Sequence, residues 1–224
     1  GAVTALDALT GEKIWTTHTM PNAKPVRDRG DGQMIWGPSG APIWGSPAID
    51  EKRGLIYVGT GEATSEPAHE NTDSILAIDL NDGAIKWSFQ ATANDIYMMG
   101  CGPTRGDPNC PKPETTVARD VDFGAQPIIA KNSKGKDIIL AGQKAGTVWA
   151  LDPDNNGKVI WRTGIGEGSP LGGIHWGIAF DGKQVFAPIH RPYGFRPSPN
   201  LDESLKPGMY TLDVDTGDIL WRYN

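Results

Sequence analysis

Cysteine is scarce in this chain of 224 residues. Cys101 and Cys110 are the two present, too few for a structural zinc site with no histidine beside them. Long apolar runs are missing as well. No uninterrupted stretch approaches the roughly 18 residues of a membrane span, and mean hydropathy is −0.38. Positive charge is in short supply: 21 Lys and Arg face 27 Asp and Glu, for a net charge of −6. No basic block exceeds two residues, which excludes the electrostatic footprint of a nucleic-acid binder. Helical periodicity is lacking, because no run of about a dozen residues keeps a 3.6 spacing free of Gly and Pro. The opening Gly1-Ala2-Val3-Thr4 has neither the basic region nor the apolar core of a secretion signal.

What is abundant is punctuation. The 29 glycines and 18 prolines predict many short strands joined by turns. The two cysteines bracket one such loop, Cys-Gly-Pro-Thr-Arg-Gly-Asp-Pro-Asn-Cys, and are expected to form a local disulfide. Closing so small a loop stabilises by about 2–3 kcal/mol in the chain-entropy view, and it implies an oxidising compartment.

The chain also repeats itself. Ala5-Leu6-Asp7 leads through Gly11 to Trp15, and Ala77-Ile78-Asp79 leads through Gly83 to Trp87. Ala150-Leu151-Asp152 runs through Gly157 to Trp161 with one extra residue, and Thr211-Leu212-Asp213 runs through Gly217 to Trp221. Each segment reads as a strand, a tight Gly turn and a second strand carrying Trp. The tryptophans stand 72, 74 and 60 positions apart, room for four strands per period, as in a propeller blade. The expected fold is therefore all-β, a β-propeller of about three and a half four-stranded antiparallel blades. The half blade is placed at 1–18 and the complete blades at 43–90, 124–164 and 176–224. A closed propeller needs four to eight blades, so the chain reads as an arc with two open edges.

Long connections fall at 19–45, 61–74, 91–124 and 190–208, and short ones at 51–54, 131–136 and 181–183. Blade connectivity puts the long set on one face, where binding and catalysis usually sit. Trp44, Glu62, Asp120, Asp122, Gln143, Lys144, Trp176 and His190 flank the inner strands there. Two indoles, three carboxylates, an ammonium and an imidazole suit a planar cofactor and a hard cation. Ordinary roles compete for each: blade packing for the indoles, turn capping for the two aspartates, solvation for Glu62. His190 reads more readily as structural or exposed.

These residues resemble the pyrroloquinoline quinone (PQQ)-dependent alcohol dehydrogenases with eight-bladed propellers, and most of all the polyvinyl alcohol dehydrogenase-like branch. The docking repeat carries the likeness together with Gly40-Ala41-Pro42-Ile43-Trp44, Arg53 to Gly61, Asp122-Phe123-Gly124-Ala125-Gln126-Pro127, Ala141 to Gly146 and Leu171 to Gly177. The resemblance implies that Trp44 stacks on the quinone and that Glu62, 18 positions later, takes the place of a metal-ligating amide. It implies that Lys144 contacts the reactive quinone carbonyl; Trp176 and His190, on the same face by position, are further candidates for cofactor binding. Asp122 is the expected base and a Ca²⁺ ligand with Glu62, while Asp120 is the other candidate for the base.

The activity implied is oxidation of an alcohol substrate, with hydride passing to PQQ and electrons leaving to a cytochrome c. No Cys-x-x-Cys-His is present, so any haem c belongs to another segment or a partner. A periplasmic or secreted enzyme is implied, completed by further propeller blades. The rival reading is a non-catalytic PQQ-like propeller scaffold or assembly module. A Rossmann reading of Gly164-Ile165-Gly166-Glu167-Gly168 fails on spacing and on the lack of a following helix.

Overall fold

The computed structural model describes residues 1–101, 107–112, 119–191 and 204–224. Parts of the expected loops 91–124 and 190–208 lie outside the described residues. Strands β1 (Ala2–Leu6) and β2 (Lys13–His18) pair as a two-stranded half unit. Next come β3 (Lys24–Asp28), β4 (Met34–Gly37) and the short β5 (Ser39–Gly40). The first four-stranded sheet contains β6 (Ala48–Asp50), β7 (Leu55–Gly59), β9 (Ser74–Asp79) and β10 (Ile85–Gln90), with β8 (Ala63–Ser65) pairing β5 apart from it. The second holds β11 (Ile128–Lys131), β12 (Asp137–Gln143), β13 (Thr147–Asp152) and β14 (Lys158–Gly164). The third holds β15 (Ala179–Phe180), β16 (Gln184–Ile189), β17 (Gly208–Asp213) and β18 (Ile219–Tyr223). Every pairing within these sheets is antiparallel and sequential, so three blades and a half follow one another along the chain.

The central strands β7 and β12 are buried along their whole length. Their side chains alternate between two cores rather than between core and water, because both faces of each sheet are covered. Ile56 and Val58 pack toward Val3 and Trp15 of the half unit, whereas Leu55 and Tyr57 pack toward Ile139, Ala141 and Trp149 of the second blade. Ile138 and Leu140 turn the other way, toward Val185, Ala187 and Tyr210 of the third. Period 2 along a strand thus reads as a continuous apolar run.

The repeat motif closes these cores. Its Asp folds the turn by accepting backbone amides two or three residues on, as Asp7 does from Leu9 and Thr10 and Asp213 from Asp215 and Thr216. Its Gly, at φ near +70°, leaves room for the Trp of the preceding blade. A Cβ at Gly83 would lie 2.7 Å from the Trp15 ring, one at Gly157 2.6 Å from Trp87 and one at Gly217 2.5 Å from Trp161. Trp15 and Trp161 also donate their indole N–H to Leu80 O and Val214 O, at 3.1 and 3.0 Å. The third turn, one residue longer, accommodates a 3-10 turn at Pro153–Asn155. Trp221 on β18 is 45% exposed.

Two features depart from the sequence reading. The first strands of the blades start later than expected, at Ala48, Ile128 and Ala179. Pro47 and Pro127 account for two of these, since proline has no amide for the ladder. The 19–45 connection is not irregular but carries the β3–β4 hairpin. Arg27 on β3 donates to Glu66 Oε1, Pro108 O and Cys110 O at 2.8, 3.0 and 2.6 Å, which ties the hairpin to the cysteine loop. Cys101 and Cys110 are joined as expected, with Cα atoms 5.5 Å apart. Alkylation of untreated protein should therefore leave both sulfurs unlabelled, and labelling of both before reductant is added would refute the pairing.

Candidate active site

Trp44 precedes β6, Glu62 follows β7, Asp120 and Asp122 precede β11, and Lys144 follows β12. In an antiparallel pair the start of the first strand and the end of the second share one end, so all five meet. Segment 121–123 lies between the two blades. Phe123 N donates to Thr60 O at 3.1 Å and Lys144 N donates to Asp122 O at 2.9 Å. Gln143 supports it from behind, donating to Val121 O at 2.8 Å. Together with Tyr97, Met98, Met99, Leu171, His175 and Trp176, the five residues line a cavity of about 410 Å³.

Asp122 is the hub. Its Oδ2 accepts the indole N–H of Trp44 at 2.8 Å and its Oδ1 the amide of Glu62 at 3.2 Å. Two glycines permit this closeness. A Cβ at Gly61 would lie 2.7 Å from Asp122 Cγ, and one at Gly124 would collide with the Trp44 ring at 1.9 Å. Trp44 also meets His175 and Trp176, each with ring centroids 5.3 Å away. The Lys144 ammonium donates to Asp120 Oδ1 at 2.6 Å and lies 6.0 Å from the Trp44 ring centroid.

Oxygens of Glu62, Asp120 and Asp122 lie within 4.8 Å of one another. Burial, reinforced by Asp122, raises the Glu62 pKa. Burial raises that of Asp120 against the opposing pull of Lys144. Three crowded carboxylates with one ammonium form a hard-oxygen donor set short of positive charge, and Ca²⁺ fits that set. The flat indole whose orientation Asp122 fixes, with Lys144 beside it, fits a planar, anionic quinone.

Trp176 lines the cavity but is 78% exposed. His190 is placed otherwise: it is exposed, pairs through its backbone with Gly173 and does not line the cavity. His175 went unnoticed in the sequence although it adjoins Trp176. Its pKa is lowered by burial and then by Lys144. Asp73 and Asp95 are both fully buried. Neither Asp73 oxygen has a hydrogen-bond partner among the described residues, and burial, with Asp95 next, pushes its pKa up to about 10.

The all-β arc of antiparallel blades thus bears acids, a lysine and an indole at one end. Residues 1–101 match the family model described as glucose/ethanol/alcohol dehydrogenase, beta-propeller domain. The polyvinylalcohol dehydrogenases of Sphingopyxis sp. (strain 113P3) and Pseudomonas sp are 39% and 37% identical over 100% of this chain and 33% of their own length. The chain thus spans about a third of the curated relatives it matches. The crystal structure of the quinohemoprotein alcohol dehydrogenase from Comamonas testosteroni shares the fold, with TM-score 0.64 and 20% identity over 99% of this chain and 42% of that one. The sequence resemblance to polyvinylalcohol dehydrogenases therefore extends over the entire chain. Among the described residues no helix is long and apolar enough to cross a membrane.

Proposed function

We propose that this chain supplies one wall of the active site of a PQQ- and Ca²⁺-dependent alcohol dehydrogenase. Its substrates would be primary or secondary alcohols, polyvinyl alcohol-like ones among them. The observation that carries this reading is the convergence of Glu62, Asp120, Asp122 and Lys144 on one cavity beside Trp44. A scaffold has no use for so costly a cluster of buried charge.

The cofactor pair would supply hydride acceptance by the quinone, with the cation drawing electron density from its carbonyl. Trp44 provides the flat surface, and Asp122 fixes its ring through the indole N–H. Glu62 and Asp122 offer oxygen ligands to the cation. Asp122 is also the proton acceptor for the alcohol hydroxyl. Its contacts are neutral N–H donors, whereas Asp120 is already matched with the Lys144 ammonium and so holds that ammonium in place. Lys144 stabilises negative charge that develops on oxygen. The disulfide supports a periplasmic or secreted setting. Electron transfer to a cytochrome c and completion by further blades belong to the same proposal.

The test uses the intact protein stripped of cofactor and then given PQQ, Ca²⁺ or both. Dye-linked oxidation of a secondary alcohol or of polyvinyl alcohol should appear only with both present. Failure to bind PQQ, or binding without turnover of any alcohol, would favour the scaffold instead.

A further inference from the structure

Asp95 does not line the cavity, yet it is fully buried. Its Oδ1 accepts the amide of Arg119 at 2.7 Å and its Oδ2 the amide of Val121 at 3.1 Å. The residue between those two amides is Asp120, whose φ is +56°. A non-glycine residue in that left-handed region is strained and persists only where its surroundings impose it. Two amides gripped by one carboxylate, a concave arrangement suited to an anion, are such an imposition.

Asp95 is anchored on the other side too. Ala63 N donates to Asp95 O at 3.0 Å, and Tyr97 N donates to Ala63 O at 2.8 Å, so its backbone is stitched to the residue after Glu62. A single side chain thus joins the Glu62 segment to the segment bearing Asp120 and Asp122.

We propose that Asp95 is a positioning residue: it clamps residues 119–121 in a strained turn and so sets Asp120 and Asp122 against Lys144 and Glu62. The proposal rests on the reading of the site given above. Without the carboxylate, the buried amide of Val121 and the part-buried amide of Arg119 lose their acceptor and the turn has no reason to stay bent. Displacement of the order of an ångström in a catalytic group lowers turnover about 100-fold. The clamp acts on the reacting groups, so the loss should fall on kcat, with KM unaffected.

In the intact, cofactor-loaded protein, Asp95→Asn keeps the shape but turns an N–H toward one of the two amides. It should lower kcat about 10- to 100-fold, with KM, bound PQQ and the unfolding profile close to those of the unaltered protein. Asp122→Asn measured in parallel separates the two ideas. If it loses turnover while Asp95→Asn retains full kcat, the clamp is wrong and the site stands. If Asp122→Asn is fully active, the site itself was misread. Amide hydrogen exchange in the unaltered protein decides the clamp by itself, even if the Asp95 variant does not fold. Arg119 and Val121 amides, which belong to no strand, should exchange slowly, and exchange at the rate of an open loop overturns the proposal.

Discussion

Asp122→Asn in the intact protein is expected to lower kcat about 10²- to 10⁴-fold, the usual contribution of a positioned proton acceptor, while PQQ stays bound. The amide is close in shape to the carboxylate. Its oxygen can still accept from Trp44 or from the Glu62 amide, and an amide oxygen still serves Ca²⁺. The basicity goes, together with one of the two N–H contacts. Asp120→Asn should cost less, because it unpairs Lys144 without touching the proton acceptor. Steady-state kinetics with cofactor content read from absorbance checks both. The reverse order of effects would make Asp120 the acceptor, and no effect from either would remove the assignment.

Trp87→Ala should destabilise the protein by about 3–5 kcal/mol, the range for truncating a buried aromatic. Trp87 is 9% exposed, lies over Gly157 of the next blade and packs 5.6 Å from the Tyr57 ring centroid. Its loss opens a cavity between the first and second blades, where neither sheet can collapse without breaking its own ladder. A denaturant titration should show the midpoint falling. Trp221→Ala is the control: at 45% exposure it should move the midpoint far less within this chain. Equal effects would mean that docking over the Gly turn is not what stabilises the blades.

Much of the fold was legible because its signals are local. The Asp that folds each turn, the Gly that opens it and the Trp that crosses it stand within eleven or twelve residues of one another. Turn chemistry and strand alternation act over that range. The β3–β4 hairpin was not legible. Lys24-Pro25-Val26-Arg27-Asp28 is polar and carries proline, and it is held as a strand by Arg27 reaching Glu66 and the cysteine loop.

The site divides along the same line. Loop lengths and residue types picked out Trp44, Glu62, Asp120, Asp122 and Lys144, because the blade repeat fixes which strand ends meet. His190 satisfied the same rule, but its backbone pairing with Gly173 leaves it off the cavity wall. Asp73 carries no sequence signal, since a lone Asp in a polar segment is unremarkable until burial is known.

The sequence by itself determined the blade repeat, the docking of each Trp on a Gly turn, the disulfide and the end of the sheets at which charge gathers. All of these follow from contacts between near neighbours or from the period of the repeat. Only the tertiary structure decided which acid takes which partner. Asp122 holds the indole of Trp44 across 78 positions, and Asp120 takes the ammonium of Lys144 across 24. Between them lies a left-handed turn at Asp120, whose flanking amides Asp95 accepts. That choice depends on backbone direction and burial, which arise only when two blades close around the 119–123 segment.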